Sequence, residues 1–396
     1  MKKTIIWIAS LAVGSVLGIL GIAWLDEVMN SVATVYTRLF QLLAVPTIVL
    51  AVITTFATFG SKGSGRIFGH TLVYTLLTTF AAAIVGALLF VLISPGNLPV
   101  EIISRAADEG IADAPHQSYY EHILSVIPNN VVKPFLEGNV LSLLLLAFAI
   151  GIGLSKLPES ENKAVVVNGL LGLQELLFLL IRGLIWTLPL GIVSFSAQLS
   201  AQVTAGVAAD SIGKYVLVVL GGNVIQFFVI LPLFLLARGL NPIHVLGRMM
   251  PAVLMALFTK SSAATLPVTM ESAEQRLGVR KEISRFVLPI CTTINMNGCA
   301  AFILVTSLFV MQNGGTPIQL STILLWIFIA VFSAIGNAGV PMGCYFLTLS
   351  LMSGIGAPVA ILGIILPIYT IIDMVETAEN VWSDSCVCAM TDHDLR

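Results

Sequence analysis

One stretch near the C-terminus, ILGIILPIYTIIDMVETAENVWSDSCVCAM at Ile361–Met390, limits what this chain can fold into. Its first half is apolar enough for a membrane span, yet it carries Asp373, Glu376, Glu379 and Asp384. A charged side chain at the bilayer centre costs about 2.5–3.5 kcal/mol on insertion scales, so carboxylates persist there where they meet an ion, a substrate or a partner charge. At about 100° per residue, Asp373, Glu376, Thr377, Asn380 and Asp384 fall within roughly 60° of one line and make a polar stripe down one helix face. Glu379 lies well off that line. The plainer alternative is a helix end leaving the membrane, with Glu379 and Asp384 in water. Asp373 fits that alternative less well, because it directly follows the apolar ILPIYTII.

The remainder of the chain agrees with a membrane setting. Of 396 residues, 57% are hydrophobic and 10% charged, against about 25% charged in soluble domains. An all-α membrane protein with many spans follows. The net charge of −2 and the lack of a long basic run give no support for a nucleic-acid partner. Cys291, Cys299, Cys344, Cys386 and Cys388 sit in or beside apolar segments without zinc-type spacing to histidine, so neither a disulfide nor a metal cluster is expected. The run MKKTIIWIASLAVGSVLGILGIAW is too long for a signal-peptide core and reads as a first span behind a cytoplasmic Lys2-Lys3.

Further spans are expected at Val32–Phe59, Phe68–Ile93, the apolar run VLSLLLLAFAIGIGL, Val165–Ala197 and Lys214–Ala237. The connection GSKGSGRIFGH, with Lys62 and Arg66, and the turn KLPESENK are expected on the cytoplasmic side. Ser94–Tyr120, acidic and poor in Lys and Arg, is expected outside.

The second half reads differently. Pro242–Leu277 is interrupted at KSSAATLP and Leu320–Ala357 at GNAGVPMG, and Ala264-Thr265-Leu266-Pro267 aligns with Ala338-Gly339-Val340-Pro341. Each segment reads as a hairpin that enters the membrane, breaks and returns. Irregular backbone at depth is tolerated where it lines a cavity or is buried in protein, and a matched pair of interrupted segments points to a transporter's binding site. Arg276, Arg280, Lys281 and Arg285 put the first hairpin's base inside; Gln312-Asn313-Gly314-Gly315 is compatible with the second lying outside. Between them, TTINMNGC at Thr292–Cys299 offers neutral oxygens and a helix break, suited to a hard cation.

SSAATLPVTM, TINMNG, GNAGVP and DMVETAENVWSD, in this order and spacing, resemble the sodium- or proton-coupled dicarboxylate and amino-acid symporter family, which includes the glutamate transporters. The resemblance runs over essentially the whole chain. It implies eight transmembrane helices, two re-entrant hairpins, a homotrimer and an elevator-type mechanism. The scaffold would comprise residues 1–66 and 96–210, and the transport domain 67–95 and 211–396. It further implies a bacterial inner-membrane protein with cytoplasmic termini, no cofactor, and sodium as the coupling ion. Sodium positions carried over are Cys291, Asn295, Asn380 and Asp384 for an innermost site, with Asp384 its anionic ligand. Thr293, Ser333, Ile335 and Asn337 match a second. Thr78, Thr79, Asn295 and Asn297 match a third, where Asn297 stands in place of the family's aspartate. Substrate positions carried over are Ser261, Ser262, Cys299, Val340, Asp373, Glu376, Thr377 and Asn380. Asp373 would take the substrate ammonium and Asn380 the α-carboxylate.

Glu376 is the main departure. Acidic-amino-acid carriers of this family place there an arginine, whose guanidinium forks onto a carboxylate; a glutamate repels it. The DxxETAxN pattern is similar to the serine/threonine branch, so a small neutral amino acid is expected. A cationic substrate and proton coupling stay open. Glu376 is expected to accept from a substrate hydroxyl or to pair with Lys260, which would spare a lone buried charge. A pore would need a ring of charges or carbonyls, and none is seen. An enzyme would need a nucleophile with its base; Lys260 beside Ser261 and Ser262 imitates one, but the matched second hairpin favours a binding tip.

Overall fold

The structure is a computed structural model; it describes residues 2–59, 65–98, 127–137, 140–203, 208–335, 337, 339 and 342–396. The connections expected at 60–64 and at 99–120 therefore lie outside the described residues, as does Val340. Among the described residues every regular element is helical. α1 spans Lys2–Leu20, α2 Ala23–Phe59, α3 Gly65–Ile93, α4 Lys133–Glu137, α5 Val140–Lys156 and α6 Glu161–Val203. α7 (Ala208–Ile225) runs through a π-helical turn, Gln226–Ile230, into α8 (Leu231–Ala237). α9 (Pro242–Thr259) and α10 (Ser262–Glu271) form the first interrupted segment, followed by the π-helical turn Ser272–Leu277. α11 (Lys281–Ile294) and α12 (Asn297–Asn313) share one axis region broken at Asn295-Met296; α13 (Leu320–Ala334) and α14 (Gly343–Gly354) form the second interrupted segment, and α15 (Ala360–Asp394) closes the chain.

Six of these stretches are long and apolar enough to cross a membrane, among them Gly65–Ile93, Asp210–Ala237, Lys281–Asn313 and Ala360–Asp394. Large apolar side chains such as Leu92, Trp186, Phe228 and Ile243 stand exposed on the outer faces. In water they would be a liability; in a bilayer they meet lipid.

α1 and α2 pack on α6, and α2 also on α5. α3 packs on α7, α11, α12 and α13, away from α1 in sequence but next to the later helices. α12 is buried along nearly its whole length, and α15 lies against α3, α7, α9, α11 and α12. At its far end Asp392 accepts from Arg280 Nε at 2.7 Å and from Arg396 at 2.8 Å, which ties the base of the first hairpin to the last helix.

Local signals explain the hairpin termini. Asn241 caps α9 by accepting from the amides of Ile243 and His244, with Pro242 in the first helical position. The break in KSSAATLP is narrower than the sequence suggests. Lys260 alone is left-handed (φ 54°), Ser261 is extended and caps α10, and Pro267 lies inside α10. A proline there removes one helical hydrogen bond without ending the helix, because the Ser261 cap supports the first turn.

α1 meets α6 without intervening side chains. A methyl group built on Gly14 would lie 2.2 Å from the Val193 carbonyl oxygen, and one on Gly18 would lie 2.0 Å from that of Ala197. Small residues four apart let backbones approach, the main way helices associate in lipid. Gly18→Val is therefore expected to separate α1 from α6. It should lower the yield of monodisperse protein and the thermal midpoint in detergent, read by fluorescence-detected gel filtration and a melting scan. An unchanged midpoint would mean that the contact contributes little.

Candidate functional site

The helix breaks converge on the polar face of α15. Ser261 Oγ donates to the Gly339 carbonyl at 3.0 Å, and the amide of Ala263 reaches the same oxygen at 3.4 Å, so the two hairpin tips touch. Gly339 has φ 63°, and a Cβ there would sit 2.7 Å from the Thr292 carbonyl oxygen. Only glycine combines that backbone with that closeness. Beside the tips, Met342 N donates to Asp373 Oδ2 at 3.3 Å. The Tyr369 hydroxyl lies 3.1 Å from Glu376 Oε2 and 3.4 Å from Asp373 Oδ1, so one proton serves two carboxylates. Thr377 Oγ donates to the Asp373 carbonyl at 2.7 Å. Asn380 Oδ1 accepts from the Gly298 amide at 3.0 Å.

These groups line a tight cavity of about 10 Å³, room for about one water, bounded by Lys260, Ser262, Met296, Asn337, Gly339, Cys344, Asp373, Glu376, Thr377 and Asn380. Five of the substrate positions expected from the sequence, Ser262, Asp373, Glu376, Thr377 and Asn380, thus share one cavity wall. Ser261 adjoins through Gly339, and the thiols of Cys299 and Cys344 meet beside it. Lys260 enters the same cavity. Its Nζ donates to the Thr370 carbonyl at 2.6 Å, with Asp373 and Glu376 on the same cavity wall and Glu376 receiving the Tyr369 hydroxyl.

A second cluster sits deeper along α15. Thr78 Oγ donates towards Asn295 Oδ1 at 3.2 Å and Thr79 Oγ to Asn297 Oδ1 at 2.8 Å. Asn295 Nδ2 donates to Asp384 Oδ1 and to Ser383 Oγ, both at 2.9 Å, and Asn297 Nδ2 to Ser383 Oγ at 2.7 Å. So Thr78, Thr79, Asn295, Asn297 and Asp384 are brought together by α3, the α11–α12 break and α15. Asn295 and Met296 are non-helical at the break (ψ 68° and 70°). Cys291 lies one turn earlier, its carbonyl accepting from the Asn295 amide at 2.8 Å. Of the remaining sodium positions, Ile335 packs on Ile290 and Ile294, next to Thr293 in α11. Ser333 Oγ and Asn337 Oδ1 are buried and accept no hydrogen bond.

The reading that leaves Glu379 and Asp384 in water is overturned: both are buried, because α15 stays within protein well past Asp384. Glu379, off the polar stripe, is as deep as the residues on it. Four side chains were not legible in the sequence as site residues. Tyr369 lies four and seven residues before Asp373 and Glu376, so the same stripe extended backwards includes it. Ser383 is the neighbour of Asp384. Asn223 and Gln226 lie in a span that otherwise reads as plain lipid-facing helix; Gln226 Nε2 donates to the Thr78 carbonyl at 3.0 Å.

Asp373, Glu376, Glu379 and Asp384 thus lie in the interior, where among the described residues Lys260 enters the same cavity and the other buried lysine, Lys163, pairs with Glu159 at 2.9 Å. Asp392, also buried, is matched by Arg280 and Arg396. Such an excess of carboxylates calls for mobile cations.

A model of the sodium:dicarboxylate symporter family matches residues 4–394. Neutral amino acid transporter B(0) of Oryctolagus cuniculus is 28% identical over 391 residues, covering 90% of this chain and 72% of the relative. Neutral amino acid transporter A of Homo sapiens is 29% identical over 399 residues, covering 90% and 74%. Excitatory amino acid transporter 2 of Rattus norvegicus is 27% identical over 401 residues, covering 88% and 70%.

Tyr369→Phe tests the shared proton. Leaving buried carboxylates short of a donor costs about 1–3 kcal/mol. The variant is expected to melt several degrees lower in the ligand-free state. A melting curve superimposable on that of the parent would mean that the hydroxyl satisfies neither carboxylate.

Proposed function

The chain belongs to the sodium:dicarboxylate symporter family, and from that premise we propose that it couples sodium influx to uptake of a small neutral polar amino acid, serine or threonine. It is a transporter and not an enzyme. The observation that carries the substrate reading is Glu376. It is buried in the cavity wall, receives the Tyr369 hydroxyl, and no arginine lines that cavity among the described residues. A substrate side-chain carboxylate would meet a carboxylate and no guanidinium, a mismatch that excludes acidic substrates more strongly than any small apolar contact could. A hydroxyl, which can donate to Glu376, has a partner there.

Asp373 supplies the anion for the substrate ammonium, and Asn380, with the tip residues Ser261, Ser262 and Val340, serves the α-carboxylate. Thr377 and Cys299 complete the wall. Sodium occupies the Asn295–Asp384 region with Cys291 and Asn380, and the Thr78–Thr79–Asn297 cluster. A further ion lies by Thr293, Ser333, Ile335 and Asn337. The hydrogen-bonded convergence of α3, the α11–α12 break and α15 supports the first two groups. The set of eight spans and two re-entrant hairpins is divided into a scaffold of α1, α2, α5 and α6 and a moving body of α3 and α7–α15. The packing of α1 and α2 on α6, and of α3 on the later helices, favours that division. The protein acts as a homotrimer in a bacterial inner membrane with both termini cytoplasmic. The excess of buried carboxylates favours one second reading, a cationic amino acid held by Glu376.

Uptake of labelled serine into proteoliposomes, with and without an inward sodium gradient, tests the proposal. Sodium-driven uptake blocked by unlabelled threonine and not by glutamate is expected. Blockade by lysine or arginine would replace the neutral substrate by a cationic one, and uptake driven only by a proton gradient would overturn sodium coupling. Glu376→Arg is expected to abolish serine uptake; uptake at the parent rate would remove Glu376 from the site. Asp384→Asn is expected to raise the sodium concentration for half-maximal uptake about tenfold or more, as loss of a charged ligand does. An unchanged sodium dependence would overturn its role.

A further inference from the structure

Glu379 is the one buried interior carboxylate that neither cluster uses. It is 0% exposed, and neither of its oxygens has a hydrogen-bond partner. It makes no ion pair among the described residues. The group across from it is also an acceptor. A Cβ built on Gly298 would lie 2.6 Å from Glu379 Oε2 and 2.8 Å from Asn223 Oδ1, so both oxygens converge on the open side of that glycine. Asn223 Oδ1 is buried and has no partner either.

The orientation of the Asn223 amide is fixed by its other end. Its Nδ2 donates to the Val219 carbonyl at 2.8 Å. A backbone carbonyl only accepts, so turning the amide over would set oxygen against oxygen there. Three residues on, Gln226 repeats the arrangement: its Nε2 is held by the Thr78 carbonyl and its Oε1 is left without a donor. Gln226 also opens the π-helical turn, a distortion that occurs frequently at functional sites.

We propose that Glu379 Oε1 and Oε2 and Asn223 Oδ1, over the bare face of Gly298, form a binding site for an alkali cation beside the Thr78–Asp384 cluster. Buried acceptors gathered without a donor, Glu379 Oε2 and Asn223 Oδ1 with Oε1 on the same carboxylate, are satisfied together by one cation, which takes oxygen ligands. A single proton on Glu379 would serve the Asn223 oxygen and leave the second carboxyl oxygen without a donor. A monovalent ion also balances the single carboxylate, whereas a divalent ion would add charge and require a fuller shell of oxygens. Gly298 keeps the space open: any side chain at 298 would occupy the point where the two oxygens meet. The neighbouring carboxylates on α15, Glu376 and Asp384, add to the local negative potential without contributing ligands. The site does not depend on which amino acid is carried.

The test uses purified full-length protein without amino acid, so it reads binding and not transport. Thermal stabilisation is titrated with NaCl, KCl and RbCl against choline chloride at fixed ionic strength. A ligand bound only by the folded state raises the midpoint with its concentration. In the parent, the alkali-dependent shift is expected to include a component that Glu379→Gln removes, lowering the apparent affinity of that component at least about tenfold. Asn223→Ala is expected to weaken the same component, which keeps the test open if Glu379→Gln misfolds. Asp384→Asn, which removes charge but no ligand, is expected to weaken it less than Glu379→Gln does. Anomalous scattering from a rubidium-soaked crystal should place the ion between Glu379 and Asn223. Parent-like titrations in both Glu379→Gln and Asn223→Ala, or no anomalous peak at that point, would overturn the proposal and leave a protonated Glu379 bonded to Asn223. Failure of sodium-driven uptake with an intact titration would count against the transport reading alone.

Discussion

Carboxylates buried at bilayer depth are the constraint on which this structure depends. α15 carries Asp373, Glu376, Glu379 and Asp384 inside protein. Neither lipid nor bulk water satisfies them, and an uncompensated buried charge is strongly destabilising. Three of the four are answered by donors within the protein, two of them from helix breaks and one from α15 itself. Asp373 receives the amide of Met342, the left-handed residue (φ 66°) that caps the start of α14. Asp384 receives Asn295, which lies at a helix break, and Glu376 the hydroxyl of Tyr369. The α11–α12 break and the foot of α14 thus supply donors to Asp384 and Asp373 that make a polar interior tenable.

That dependence explains why the interrupted segments meet and do not simply kink. Orphan backbone groups at a helix break are tolerated at depth when protein satisfies them. Ser261 and Ala263 share the Gly339 carbonyl, Asn380 takes the Gly298 amide, and Gln226 takes the Thr78 carbonyl. Each bond joins one break or one polar helix face to another. Gly339 is held between Thr292 and Ala263 without a side chain. Each of the two hydrogen bonds described between the tips is worth about 0.5–1.5 kcal/mol net.

Much of this was legible in the sequence because it follows periodicity. The stripe of Asp373, Glu376, Thr377 and Asn380 comes from 3.6 residues per turn, and those residues do line one cavity. The two interrupted segments were visible in their glycines, prolines and hydroxyl residues, and the break in TINMNG in its asparagines. What was not legible depends on packing. Glu379 looked like an outlier because a stripe presumes one polar face, yet α15 is covered by helices on several sides at that level, so its off-stripe positions are buried too. The break at Lys260 was read too widely, since proline at 267 signals an interruption that the Ser261 cap prevents. Lysine rarely takes the left-handed conformation it has here. Asn223 and Gln226 were passed over because two amides in an apolar run carry no pattern of their own.

The Asp373–Met342 bond shows how binding and closure can be linked in such a site. Asp373 Oδ2 is held by the amide at the foot of the second hairpin. An ammonium group arriving at Asp373 competes with that amide for the same oxygen. The tip must then either yield or find a new acceptor on the ligand. An α-carboxylate beside the ammonium supplies such an acceptor, so a zwitterion can take over both ends of a contact that the empty cavity closes upon itself. A ligand with only one of the two charges would break the contact without replacing it. Since a ligand shifts an equilibrium only by the difference in its affinity for the two states, the proposed assignment of the substrate ammonium to Asp373 would place selectivity for a zwitterion in this exchange as much as in the fit of the side chain against Glu376.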